Sequence, residues 1–121
     1  MIAAEVPQEL RLAKDGSSLT LGYADKSYTL SAEYLRVCSP SAEVRGHGGA
    51  WTFIGGKREV RIRDIYPVGQ YAVRLVFSDG HDSGIFSWEV LQDLCAHQER
   101  YWHEYLHALE LEGKTREQNN E

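Results

Sequence analysis

The sequence predicts an α+β domain in which a small, antiparallel, twisted β-sheet is covered by one long C-terminal α-helix. Through the first two thirds of the chain, short runs of alternating apolar and polar residues are separated by turn residues, as in β-strands. From Trp88 onward the apolar residues instead recur every three or four positions, as on one face of a helix. With 121 residues, 42% of them hydrophobic, the chain contains enough apolar material for a single core.

The N-terminal part predicts a β-hairpin, a third strand and a short helical turn. Leu10 and Leu12 alternate with polar residues before a turn at 14–17, which contains the Asp-Gly pair typical of hairpins. The returning strand carries the alternating residues Leu19, Leu21 and Tyr23. A further run at 28–30 leads to Ser31, and serine is a preferred residue at the start of a helix.

A second group of strands follows a glycine-rich segment. Residues 44–57 include five glycines and predict a surface loop. Val60 and Ile62 alternate with arginines, which predicts a strand with one solvent-facing side. One face of the next strand carries Tyr71, Val73, Leu75 and Phe77. A polar turn at 78–82 then leads into a last strand at 84–86.

The C-terminal segment predicts one helix over 88–112. Its apolar stripe consists of Trp88, Leu91, Cys95, Gln98, Trp102, Tyr105 and Leu109. Ser87 is a suitable N-cap, and Gly113 a suitable stop. A helix of about 25 residues is about 37 Å long, longer than the sheet on which it packs. The sequence therefore predicts a single domain over 1–113 and a polar, disordered tail over 114–121.

Residues 103–107 match H-E-x-x-H, a zinc-protease signature in which two histidines one turn apart bind the metal. On the predicted helix, however, His103 and His107 lie on the flank and far side of the apolar stripe, beside Arg100 and Glu110. Only 14 residues follow His107 to supply a third ligand. We interpret the motif as a chance match on a solvated helix face.

Composition excludes several classes of function. The net charge is −5 and the pI about 5.5, which argues against a nucleic-acid partner. No apolar run approaches the roughly 20 residues of a membrane span, and the N-terminus shows no secretory signal. Two cysteines, Cys38 and Cys95, predict reduced thiols, with Cys95 in the core. A cytoplasmic domain is the expectation.

Several segments together resemble one family, the N-terminal domain of gamma-butyrobetaine hydroxylase-like proteins. The resemblance covers about 7–94, and the tail of the helix also resembles bacterial stand-alone members. It depends on Leu35-Arg36, Ser39-Pro40-Ser41-Ala42-Glu43-Val44-Arg45-Gly46-His47-Gly48, Pro67-Val68-Gly69-Gln70-Tyr71-Ala72-Val73 and the run from Phe77 to Ile85 that ends near Trp88.

The resemblance implies a structural zinc and an oxygenase domain in the eukaryotic hydroxylases, but this chain departs from both. There the zinc is held by a Cys-Pro-Cys-x-x-Cys run and a later histidine. Here that run falls on 39–44 without a thiolate, and only His81 matches a ligand. Cys38 is one residue out of register, and no oxygenase motif is present. Related domains are also appended to P-loop scaffold ATPases of iron–sulfur cluster assembly, which implies a helper role.

The candidate site is a polar surface contributed by two loops. Its predicted binding residues are Arg36, Ser39, Ser41, Glu43, Arg45, His47, Asp79, His81 and Asp82. One hypothesis is a buried hydrogen-bond network in place of the zinc, with Arg45 paired to Asp79 or Asp82. The other is a site for a small anion, a metal or a partner's loop.

Three functions follow, in order of preference. The first is a non-enzymatic accessory or interaction domain that helps metal, iron–sulfur or other cofactor assembly. The second is a metal-binding protein that uses His47 and His81 with a nearby carboxylate or Cys38; the metal would be zinc or iron. The third is an enzyme of unknown type. We expect no required cofactor, a protein partner, and neither a nucleic-acid nor a membrane partner.

Overall fold

The computed structural model describes residues 5–39 and 54–117, and it confirms the α+β class. Over these residues the chain forms two three-stranded antiparallel sheets and three helices. In chain order the elements are β1 (Glu9–Leu12), β2 (Ser18–Gly22), β3 (Ser27–Ser31), α1 (Ala32–Val37), β4 (Ile62–Val68), β5 (Ala72–Phe77), β6 (Gly84–Ser87), α2 (Trp88–Ala96) and α3 (Gln98–Leu111).

The first sheet has the order β1-β2-β3 and contains the predicted hairpin. Gly16 has φ +76°, a conformation that glycine adopts readily in a tight turn. Leu19, Leu21 and Leu30 are fully buried, so the period-2 pattern directs one face of the sheet into the core. Ser31 caps α1 as predicted, because its side chain accepts a hydrogen bond from the Tyr34 amide.

The second sheet has the order β4-β5-β6, so the strands form two sheets where the sequence analysis expected one. The Ile62 amide donates to the Gly16 carbonyl at 2.8 Å, which ties the start of this sheet to the first hairpin. The inner face of this sheet carries Val73, Leu75, Phe77 and Phe86, all buried in the shared core. The polar turn at 78–82 lies between β5 and β6, as predicted.

The C-terminal helical segment has the predicted limits to within one residue, but it consists of two helices that meet at His97. His97 has φ −118° and ψ +28°, outside the helical region, although neither glycine nor proline is present to break the helix. Ser87 caps α2, and Gly113 with φ +68° ends the segment, both as predicted. In the described part of the chain, every helix is too short or too polar to cross a membrane.

Of the tail that the sequence predicts to be disordered, the structure describes residues 114–117, and these contact residues 55–58. The Gly56 amide donates to the Thr115 carbonyl at 2.9 Å, and the Arg58 amide donates to the Arg116 carbonyl at 3.0 Å. These backbone contacts hold the tail across residues 55–58. The rest of the predicted tail, 118–121, lies outside the described residues.

Candidate functional site

The C-terminal end of α1 meets the turn between β5 and β6. Ser39 Oγ lies 3.1 Å from Nε2 of His81, and the two residues are 0% and 8% exposed. The turn is shaped by Gly80, which has φ +92°, and by the Phe77 amide, which donates to the His81 carbonyl at 2.9 Å. The predicted contact between the start of the Ser-Pro-Ser segment and this turn is therefore present at Ser39.

Asp79 is the centre of a charged cluster at the same junction. Its Oδ2 accepts hydrogen bonds from Nε of Arg36 at 2.9 Å and Nζ of Lys57 at 2.6 Å. Its Oδ1 accepts from the His81 amide at 3.1 Å. Burial raises the pKa of Asp79, but the hydrogen bonds from Lys57, His81 and Arg36 outweigh that effect and lower it to about 2. The carboxylate is therefore ionised at neutral pH.

The structure brings together four of the nine predicted site residues: Arg36, Ser39, Asp79 and His81. Asp82 is separate from them, because its side chain is exposed and its carbonyl accepts from Nη1 of Arg74. The remaining residues, Ser41, Glu43, Arg45 and His47, lie outside the described residues. The predicted pairing of Arg45 with Asp79 or Asp82 therefore stays a prediction. Sequence reasoning missed Lys57, since a lysine after two glycines carries no distinctive signal.

The residues at this junction do not fit the structural zinc that the family resemblance implies. Ser39 occupies the first thiolate position, and a hydroxyl is a poor zinc ligand in place of a thiolate. The hydroxyl lies within hydrogen-bond distance of His81, and a Cβ built on Gly84 would come within 2.6 Å of it. The Ser39–His81 contact and the close approach of Gly84 therefore fill the space between the end of α1 and the segment 81–84.

The contact between Ser39 and His81 also differs from a serine–histidine catalytic pair. The serine is fully buried, so a substrate has no access to its hydroxyl. The carboxylate of Asp79 binds the backbone amide of His81 at 3.1 Å, whereas a catalytic acid must orient the imidazole ring. The histidine ring packs on Phe77 with a centroid distance of 5.9 Å. The arrangement is suited to joining two loops.

The cysteines and histidines do not assemble a metal site in the described part of the chain, where no three potential ligands of the His, Cys, Asp or Glu type converge. Cys38 and Cys95 are both buried free thiols. Burial raises the pKa of Cys95 to about 11, so it is a neutral thiol in the core, as the sequence predicted. His47, the other proposed ligand, lies outside the described residues.

A second buried charge was not predicted. Glu33, which is 5% exposed, accepts a hydrogen bond from the Tyr105 hydroxyl at 2.7 Å. Arg116 binds the same carboxylate through two nitrogens, Nε at 2.9 Å and Nη2 at 2.8 Å. A glutamate within the otherwise apolar start of α1 is the sequence signal that could have indicated a buried carboxylate. Its partner Arg116 lies in the polar tail, where an arginine gives no signal of a buried ion pair.

The H-E-x-x-H residues lie on the exposed side of α3. His103 and His107 are both exposed, which confirms their predicted position on the helix. Between them, Glu104 accepts a hydrogen bond from Nε of Arg100 at 3.2 Å across one helical turn.

Comparisons with known proteins find the same overall fold in solved structures. Two NMR solution structures are similar to the chain. The first is 43% identical in sequence and has a TM-score of 0.84, and the alignment covers 98% of this chain and 95% of the chain in that structure. The other has 40% identity, a TM-score of 0.80, and covers 100% and 94%. A crystal structure of a DUF971-family protein of unknown function from Acidithiobacillus ferrooxidans has 38% identity and a TM-score of 0.63, covering 75% of this chain and 93% of its own.

No curated protein matches the chain. A family model described as gamma-butyrobetaine hydroxylase-like, N-terminal, matches residues 10–92, a region that contains α1, both sheets and the start of α2. The chain therefore belongs to the gamma-butyrobetaine hydroxylase-like N-terminal domain family.

Proposed function

We propose that this domain is a non-enzymatic interaction module that serves metal, iron–sulfur or other cofactor assembly, and that it contacts its partner beside the 79–82 turn. One observation carries the proposal. Arg36 and Ser39 contact this turn before residues 40–53, which lie outside the described residues, and Lys57 contacts it after them. The described residues on either side of 40–53 therefore both contact the turn, Ser39 through His81 and Lys57 through Asp79.

In the intervening sequence, the stretch 41–50 places Glu43, Arg45 and His47 among glycine, alanine, serine and valine residues. Polar residues of specific type in a loop held by a rigid scaffold are more often binding groups than packing groups. The scaffold here consists of the buried Ser39–His81 contact and the Asp79 cluster, in which Arg36 and Lys57 both donate to the Asp79 carboxylate. This division assigns the structural role to the junction and the recognition role to the loop.

The test is affinity capture from extracts of the native host with Arg45→Ala and, as a matched control, Arg63→Ala, an exposed arginine on β4. We expect both variants to melt as the wild type does. The amount of partner captured by Arg45→Ala should be at least about tenfold lower than the amount captured by the wild type, whereas Arg63→Ala should capture as much as the wild type. Mass spectrometry of the captured proteins tests the assembly role, which requires a metal or cofactor carrier or scaffold among them.

Two results would count against the proposal. Equal capture by both variants would remove the loop from the interface. Unfolding of Arg45→Ala would instead support the hypothesis that Arg45 holds a buried hydrogen-bond network together.

A further inference from the structure

A second feature, separate from the Ser39–His81 junction, is a solvent-open groove of about 500 Å³ between β3 and the two C-terminal helices. Its aromatic walls are Tyr28 on β3, Tyr34 on α1 and Trp102 on α3. The groove lies at the junction of α2 and α3, since Ala96 and Gln98 on either side of His97 both line it. Its volume is in the range of ligand-binding clefts.

The aromatic walls are held in place by the core. The Tyr34 hydroxyl donates to the Leu94 carbonyl at 2.7 Å, and its ring meets Trp102 edge-on at 6.4 Å. Trp102 also packs on the buried ring of Tyr105 at 5.1 Å. A preorganised wall loses little conformational entropy when a ligand binds.

The lining of the groove supplies one carboxylate. Among the described residues that line it, Glu99 is the only charged one. Cys95, also in the lining, is a neutral thiol with a raised pKa. The chain as a whole carries a net charge of −5. A carboxylate beside aromatic faces favours a cation, and a planar guanidinium most of all, since it stacks on a ring while it binds a carboxylate.

The same indole already binds a guanidinium within the chain. Arg116 lies 5.1 Å from the Trp102 ring while it pairs with the Glu33 carboxylate. At the other wall, the Lys26 ammonium lies 5.7 Å from the Tyr28 ring. Both rings therefore accept cations within the chain, and neither Arg116 nor Lys26 is among the residues that line the groove.

We propose that the groove binds an arginine side chain presented by an extended segment of a protein partner, with the guanidinium between Trp102 and Tyr28 and paired to Glu99. A polypeptide suits the site because the groove is open and is adjoined by a smaller cavity that shares Tyr28 and Ala96. This inference rests on the domain being an interaction module, and it assigns a contact surface beyond the loop at 39–48.

The test is an NMR titration of the full-length ¹⁵N-labelled chain with a blocked pentapeptide, acetyl-Gly-Ala-Arg-Ala-Gly-amide. Matched peptides carry lysine or the neutral isostere citrulline at the central position. We expect saturable shifts confined to the Trp102 indole and the amides around 28–31 and 95–102. The lysine peptide should bind at least about threefold more weakly, and the citrulline peptide should give no saturable shift.

Glu99→Gln should weaken the arginine peptide by about fivefold or more, whereas Glu110→Gln, a charge-matched control on the exposed side of α3, should stay within about twofold of wild type. Equal effects of the two variants, equal binding of the lysine or citrulline peptide, or shifts spread over the surface would each overturn the proposal. The Arg45→Ala capture assay does not involve the groove, so a failure of the loop proposal is distinguishable from a failure of the groove proposal.

Discussion

Glu33 is a charged residue in the core whose partners lie far away in the sequence. Tyr105 and Arg116, the two side chains that bind its carboxylate, are 72 and 83 positions away. A carboxylate removed from water is stable only when its oxygens accept strong hydrogen bonds. The local pattern around α1 shows that Glu33 is unusual, but only the folded chain shows what neutralises it.

Arg116→Ala should destabilise the domain by about 1–3 kcal/mol, because it removes two hydrogen bonds from a buried carboxylate and leaves Tyr105 as the donor. The matched control is Arg58→Ala, whose ion pair with Glu117 is half-exposed and should contribute about 0–1 kcal/mol. Urea denaturation of both variants measures the difference. A similar, small loss for both would mean that water replaces Arg116 at no net cost.

Asp79 should make stability pH-dependent in the acid range. Its folded pKa is about 2, below the value of about 3.9 expected in the unfolded chain. A lowered folded pKa contributes stability above the unfolded pKa, and that contribution is lost as pH falls through the folded one. Asp79→Asn should therefore be less stable than wild type at neutral pH, and the gap should narrow between about pH 4 and pH 2.

Chemical denaturation at several pH values measures this gap. Asp82→Asn serves as the control, because this neighbouring carboxylate is exposed and outside the Asp79 cluster. A constant gap for Asp79→Asn down to pH 2 would contradict the assigned partners of the carboxylate.

Elements whose signals are local could be predicted, whereas those set by tertiary contacts could not. Ser31 and Ser87 act within three residues, so their capping roles were visible in the sequence. The break at His97 has no such signal, because no residue there disfavours a helix. His97 and Tyr101 both contact the carboxylate of Asp93 across the break between α2 and α3.

On α3, His103→Ala and His107→Ala should each change the melting temperature by less than about 2 °C, because both side chains are exposed on the helix. The same variants should leave any peptidase activity of the preparation unchanged. Calorimetry and a casein-hydrolysis assay check these outcomes. Loss of a hydrolytic activity in His103→Ala would restore the zinc-protease interpretation of the motif.

At the scale of the whole molecule, the sequence pattern predicted most strands and the buried faces of β2 and β5. It did not predict that β4 continues to Val68, that Tyr71 is exposed, or that the strands form two sheets. Period-2 alternation shows which face of a strand is buried, and it carries no information about which strands pair over long distances. The position of the tail residues 114–117 was not predictable for the same reason. These polar residues contact 55–58 and Glu33, and their sequence gives no signal of such distant partners. The roles of Glu43, Arg45 and His47 stay predictions.

The domain as a whole should fold and stay stable without zinc. A structural zinc contributes about 10–16 kcal/mol in zinc-finger peptides at neutral pH, so a protein that depends on it unfolds when the metal is chelated. Here Ser39 takes the place of a thiolate, and a shared core of buried aliphatic and aromatic residues from both sheets and all three helices supplies the stability.

We therefore expect excess chelator to shift the melting temperature by less than about 2 °C, and metal analysis of tag-free protein to find well below one zinc or iron per chain. The positive control is a cysteine-ligated zinc domain melted under the same conditions. A decrease of many degrees in this chain would show that residues beyond Ser39 and His81 complete a metal site. That result would favour the metal-binding function over the interaction module.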